Sequence, residues 1–296
     1  MKVRIGVGLG VRTKLHGPEF GEFVDTVERL RFDSLWLSER ISGEAPDPVV
    51  AMSYAAGRTT RLKFGMSVLV LPGRNPVVLA KEMATLAIMS GGRLLPAFGL
   101  GVADGMEHQA FGVARGERAK WFDEALTVMR KCWYDDVVDH DGPRFHYEGL
   151  KVRPQPKRLD VWLGGNAPSE LKRVGRLADG WLPSFVTPAD AAAGRTVIEQ
   201  VAAEHDRAIE DDHYGVLIPY TMDRPPDVLL AQLAKRRPDL DPSTLVPVGW
   251  DAVIDTIKRF IDVGTTKFVV LPIAEPTEDW TTHLTAAADA LLPLET

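Results

Sequence analysis

Residues 61–101, RLKFGMSVLVLPGRNPVVLAKEMATLAIMSGGRLLPAFGLG, leave this chain little choice of architecture. Residues 62–71 carry β-branched and large apolar side chains without alternation, the pattern of a parallel strand buried on both faces. Asn75 then offers a side-chain acceptor to the first free amides, and Pro76 stands where no amide is needed, so a helix is predicted to begin there. Val78, Leu79, Met83, Leu86 and Ala87 keep the three-to-four spacing of a helix lying on a sheet. Gly91 and Gly92 can close it in the left-handed region, and residues 93–100 read as the next strand. Such a β-α-β unit crosses over right-handed and builds a parallel sheet.

The same alternation runs along the rest of the chain. Further strands are predicted at residues 3–9, 32–38, 161–165, 180–183, 214–220 and 267–271, with helical periodicity between them. Two segments break the rhythm: 102–117 is too long for a turn and reads as a functional loop, and the polar stretch 135–159 reads as an excursion outside the repeat. Together these predict an α/β fold of the (β/α)8 TIM-barrel kind with insertion segments, as one domain over residues 1–296. Trp36, Trp133 and Trp162 are expected in its core.

Composition narrows the function classes. A net charge of -6 without a run of Lys or Arg argues against a nucleic-acid partner, and no apolar stretch approaches a membrane span. The single Cys132 can form neither an internal disulfide nor a cysteine zinc site, so a cytoplasmic location and no metal are expected.

In a barrel of this kind chemistry sits at the carboxyl ends of the strands. The Gly164-Gly165-Asn166 turn joins a strand to a helix and suits either a phosphate cradle of bare amides or simply a tight turn. Glu39 and Arg40 at the second strand exit, with Glu107 and His108 in the fourth loop, offer acid, cation and proton-exchange groups that could converge on a ligand; solvated loop charges are the other reading. His16 has the same two readings, whereas His140 and His146 lack metal-ligand spacing and read as surface residues. The chain has no HExxH, paired-carboxylate or Gly-x-Ser-x-Gly motif.

Taken in order, FDSLWLSER, the 61–93 run, GLG followed by EHQAFGV, RAKWFDEAL, VWLGGN, LADGW and GTTKFVV resemble the bacterial luciferase-like family of flavin and deazaflavin oxidoreductases over nearly the whole chain. The resemblance implies a barrel that binds FMN or coenzyme F420 at the strand exits. It implies a bulge with a non-proline cis peptide at Ser67-Val68 behind the cofactor ring, strand exits at Gly99 and Gly101 beside it, and a phosphate held at Gly164, Gly165 and Asn166. Trp181 and Ser184 would line the cofactor tail. Two positions depart from the glucose-6-phosphate branch: Glu39-Arg40 replaces Asp-His, and Val102 stands where that branch has a glutamate. Glucose 6-phosphate is therefore not the expected substrate.

The resulting expectation is an F420-dependent oxidoreductase acting on a small organic substrate, with FMN as the alternative cofactor and a homodimer as its assembly. Glu39, Glu107 and His108 are the candidate catalytic residues by position. An FMN-dependent monooxygenase, a non-catalytic deazaflavin carrier and a barrel isomerase or lyase without a redox cofactor are the competing readings.

Overall fold

A computed structural model of the chain describes residues 2–15 and 17–296; His16 lies outside the described residues. Its first half runs β1 (Arg4–Leu9), α1 (Pro18–Arg29), β2 (Ser34–Leu37), α2 (Pro48–Arg58), β3 (Lys63–Met66), β4 (Leu69–Val70), α3 (Pro76–Met89), β5 (Leu94–Leu95), β6 (Ala97–Gly99), α4 (Gly105–Phe111) and α5 (Arg118–Tyr134). The second half runs β7 (Val138–Asp141), β8 (His146–Leu150), β9 (Trp162–Leu163), α6 (Pro168–Leu177), β10 (Gly180–Trp181), α7 (Pro188–Ala203), β11 (Gly215–Tyr220), α8 (Asp227–Arg236), α9 (Gly249–Asp262), β12 (Lys267–Pro272) and α10 (Trp280–Leu291).

The strands close into a barrel. Parallel pairing gives the order β11-β12-β1-β2-β3-β5 and, continuing two of these staves, β10-β9-β6-β4. Bridges from Trp181 to Tyr214 and from Ser184 to Leu217 join β10 to β11 and complete the ring. The predicted third and fourth strands are each broken in two. One breaks at the cis peptide Ser67–Val68 and the other at Pro96, which has no amide to give to a ladder.

The helix starts follow the caps read from the sequence. Asp47 accepts from the amide of Val50, and Asn75 accepts from Val77 and Val78, each followed by proline at the first helical position. Trp36, Trp162, Leu182, Leu217 and Val269 pack inside the barrel, while the helices bury their inner faces against its outside. At the amino end of the barrel, buried Asp33 lies between Lys63 and Lys267.

Three local expectations are corrected. Segment 102–117 is not irregular throughout: Asp104 caps the short helix α4 through the amides of Met106 and Glu107. The 135–159 excursion contains the antiparallel hairpin β7-β8, whose polar sequence gives no strand periodicity. His140 is largely buried against Glu124 at 3.3 Å rather than on the surface, whereas His146 is exposed.

Candidate active site

A cavity of about 340 Å³ opens at the carboxyl ends of the strands. Its wall takes Ser67 and Val68 from the break in the third stave, Gly99 to Val102 from the fourth, and Gly164 and Gly165 after β9. Ser38, Glu39 and Arg40 come from the β2 exit, and Leu182 and Ser184 from the β10 exit. Strand exits of different staves thus converge because all the barrel strands run parallel.

Val68 sets the floor. A Cβ built on Gly99 would stand 2.3 Å from Val68 Cγ2, and one on Gly164 would stand 3.5 Å from Val68 Cγ1. The bare backbone at 99 is therefore a requirement of this close approach. Gly101 has φ 77°, a conformation that glycine adopts without strain.

Arg40, Arg173 and Arg236 bring three guanidinium groups to the wall, against the carboxylates Glu39 and Glu170. Arg173 is fixed through its Nε by Asp123 at 2.5 Å. Glu170 reaches back from the first turn of α6 and accepts the amides of Asn166 at 3.0 Å and Ala167 at 2.9 Å. The expected phosphate cradle is thus capped by the chain's own carboxylate, with Gly164, Gly165 and Arg173 beside it. This wall fits a phosphorylated flavin or deazaflavin through its bare glycine backbone and the guanidinium groups of Arg40, Arg173 and Arg236.

Glu39 is 4% exposed, and both of its oxygens are engaged: the amide of Val70 donates at 2.6 Å, and Arg74 forms an ion pair. Burial pushes its pKa up, with Arg74 and the Val70 amide opposing. Glu107 does not line the cavity. It is buried under the β2-exit loop, with the amides of Ile41 and Ser42 at 3.4 Å and Arg40 Nε at 3.8 Å. His108 is also off the wall, and its Nε2 is buried without a partner among the described residues. Of the three candidate acid-base groups, the cavity wall therefore holds Glu39 alone.

Among the expected cofactor contacts, Ser67, Val68, Gly99, Gly101, Gly164, Gly165 and Ser184 line the cavity. Trp181 stands behind it, donating its Nε1 to the Gly165 carbonyl at 2.8 Å, and Asn166 turns its amide to Glu170. Sequence reasoning missed Glu170, Arg173 and Arg236. The only signal for the first two was their spacing of three on a helix opening at the glycine turn. Arg118 was missed too. It is 3% exposed, donates from Nη1 to the Val102 carbonyl at 3.1 Å, and leaves Nε and Nη2 without a partner among the described residues.

A family model described as luciferase-like monooxygenase matches residues 3–264. The chain belongs to the luciferase-like monooxygenase family. Within the range of its relatives, an F420-dependent glucose-6-phosphate dehydrogenase of Amycolatopsis mediterranei is 25% identical, the match covering 97% of either chain. An F420-dependent secondary alcohol dehydrogenase, solved with an F420-acetone adduct, superposes with a TM-score of 0.80 at 19% identity over 100% of both chains. The oxygenating component of 3,6-diketocamphane monooxygenase from Pseudomonas putida, solved with FMN, gives 0.75 at 16% identity, covering 100% of this chain and 99% of that one. The luciferase-like barrel expected from the residues is therefore the fold of this chain.

Proposed function

We propose that the protein is a luciferase-like oxidoreductase that takes coenzyme F420, with FMN as the alternative, and transfers hydride to or from a small organic molecule. The observation that carries this reading is the cavity wall, where the bare backbone of Gly99, Gly101, Gly164 and Gly165 meets Arg173 at the strand exits. Family membership and the F420-dependent relatives support it. The cofactor supplies hydride chemistry, and the protein supplies a shaped slot and its electrostatics. In that slot Val68 backs the ring, Gly164, Gly165 and Arg173 hold the phosphate, and Glu39 keeps the floor of the slot in place through Val70.

Titration of the purified protein with F420 and with FMN, followed by fluorescence quenching, tests the reading. Micromolar binding of either supports it, and binding of neither overturns it. Stopped-flow reoxidation of the reduced, bound cofactor by ketones, quinones and nitroaromatics then separates an enzyme from a carrier: a carrier shows no acceleration.

We also propose a homodimer through α2 and α3. Val50 and Tyr54, one turn apart on α2, and Val78 and Met89 on α3 are exposed, Met89 at 81%. Light scattering behind a sizing column reads the mass directly, and a monomer at tens of micromolar rejects this assembly. No helix among the described residues is long and apolar enough to cross a membrane, and the proposed compartment is the cytoplasm, where the one thiol, buried Cys132, stays reduced.

A further inference from the structure

A second chamber of about 250 Å³ adjoins the first and shares Val11, Ser38, Ser67, Ser184 and Leu217 with it. Its walls are mainly apolar, with Phe185, Leu229, Leu271, Pro272 and Ile273 facing the space. Among the described residues its charged lining is Arg12 and Glu275, which balance, and Glu275 is already engaged by the amide of Lys14 at 2.7 Å. A sugar phosphate would carry two charges and several hydroxyls into this space and find few donors to replace water.

The polar groups are instead gathered at the junction. Ser38 donates to the Ser67 carbonyl at 3.0 Å and stands 3.3 Å from the Ser67 hydroxyl, and Ser184 lines both spaces. Phe185 closes the chamber from a backbone with φ 56°, a conformation that a bulky L-residue adopts only where its surroundings enforce it. Its side chain packs with Leu229 and Ile273 beside the small cluster of Leu233, Leu245 and Val246.

We infer that the outer chamber takes an uncharged, predominantly apolar ketone, with its oxygen at the Ser67 and Ser184 hydroxyls and its hydrocarbon against Phe185 and Leu229. This rests on the oxidoreductase reading above. Reduction of such a carbonyl takes one hydride from the reduced cofactor to carbon, while the C=O pair moves to oxygen and takes one proton, which the buffered solvent at the chamber mouth delivers through the serine hydroxyls. The products are an alcohol and the oxidised cofactor. The hydroxyls hold the oxygen, and the apolar wall excludes competing water.

The test uses two separate readouts. Saturation-transfer NMR on the protein without cofactor measures binding of cyclohexanone, 4-methylcyclohexanone, 4-ethylcyclohexanone and glucose 6-phosphate. Each methylene that fits should lower the Kd about fourfold, and glucose 6-phosphate should not compete with the ketone. A Kd indifferent to the alkyl group, or displacement of the ketone by glucose 6-phosphate, overturns the inference. Phe185→Ala should weaken 4-ethylcyclohexanone about tenfold and leave cofactor titration unchanged. Leu229→Asn, at the half-buried rim, gives the same comparison should the first variant not fold, and unchanged ketone affinity there also overturns the inference. Failure of F420 and FMN to bind strikes the oxidoreductase reading while leaving the NMR result to stand; cofactor binding without ketone binding strikes this inference alone.

Discussion

Val68 occupies the space that a side chain on Gly99 would need, with Cγ2 2.3 Å from the position of a Cβ there. Two adjacent staves are thus locked together at the floor of the cavity. Gly99→Ala should push Val68 outward, costing about 1–3 kcal/mol of stability and weakening cofactor binding about tenfold. Thermal melting and fluorescence titration read the two effects. Unchanged affinity would mean that Val68 does not set the seat of the ring.

Glu170 places a carboxylate on the two amides that an incoming phosphate would otherwise use. Glu170→Gln keeps a hydrogen-bonding cap and removes the negative charge, so the Kd of the anionic cofactor should fall about fivefold. The gain should shrink as salt is raised, because exposed charge is screened over about 8 Å at physiological ionic strength. A weaker cofactor complex in this variant would show that Glu170 serves the bound state instead.

The barrel was legible because its signals are local. Runs such as residues 62–71 and caps such as Asn75-Pro76 carry their own instructions, and they placed all eight staves. The site was legible only in part. Gly164 and Gly165 stood out as a strand-to-helix turn, and the family resemblance supplied Ser67, Val68, Gly99, Gly101 and Ser184, all on the cavity wall, whereas the facing of Glu170 and Arg173 depends on how α6 is rotated on the barrel. Glu107 shows the converse: its position in the loop suggested the site, but α4 turns it towards Ile41 and Ser42. That helix has only 7 residues, too few for periodicity, and is held by its Asp104 cap and by Arg40, 64 positions away in sequence.

Glu39 lines the cavity yet spends both oxygens on Arg74 and Val70. Glu39→Gln keeps the Val70 contact and leaves Arg74, still donating to the Val70 carbonyl, without its counter-charge, at a cost of about 2 kcal/mol in stability. As a positioning residue it should raise the cofactor Kd while the pH profile of kcat keeps its shape. Loss of one limb of that profile would make Glu39 the proton-exchange group instead.

Asp33 holds the amino end of the barrel together by meeting Lys267 at 2.5 Å and Lys63 at 3.2 Å. Burial alone would raise its pKa, but the two lysines outweigh burial and bring it from 3.8 to about 2. Burial lowers the pKa of Lys267, with Asp33 pulling it back towards the charged form. Between these two pH values the unfolded chain binds more protons at this carboxyl than the folded one, so stability falls on acidification. The contribution, about 2 kcal/mol, should be complete above about pH 4 and lost towards pH 2. Asp33→Asn should abolish that acid-dependent step. It should also strand Lys267 without a counter-charge at neutral pH, costing about 3–5 kcal/mol and lowering Tm by roughly 10 °C. Melting curves from pH 2 to pH 8 on both proteins decide the matter, and a variant that melts within a degree of the parent at pH 7 would show that the pair contributes nothing net.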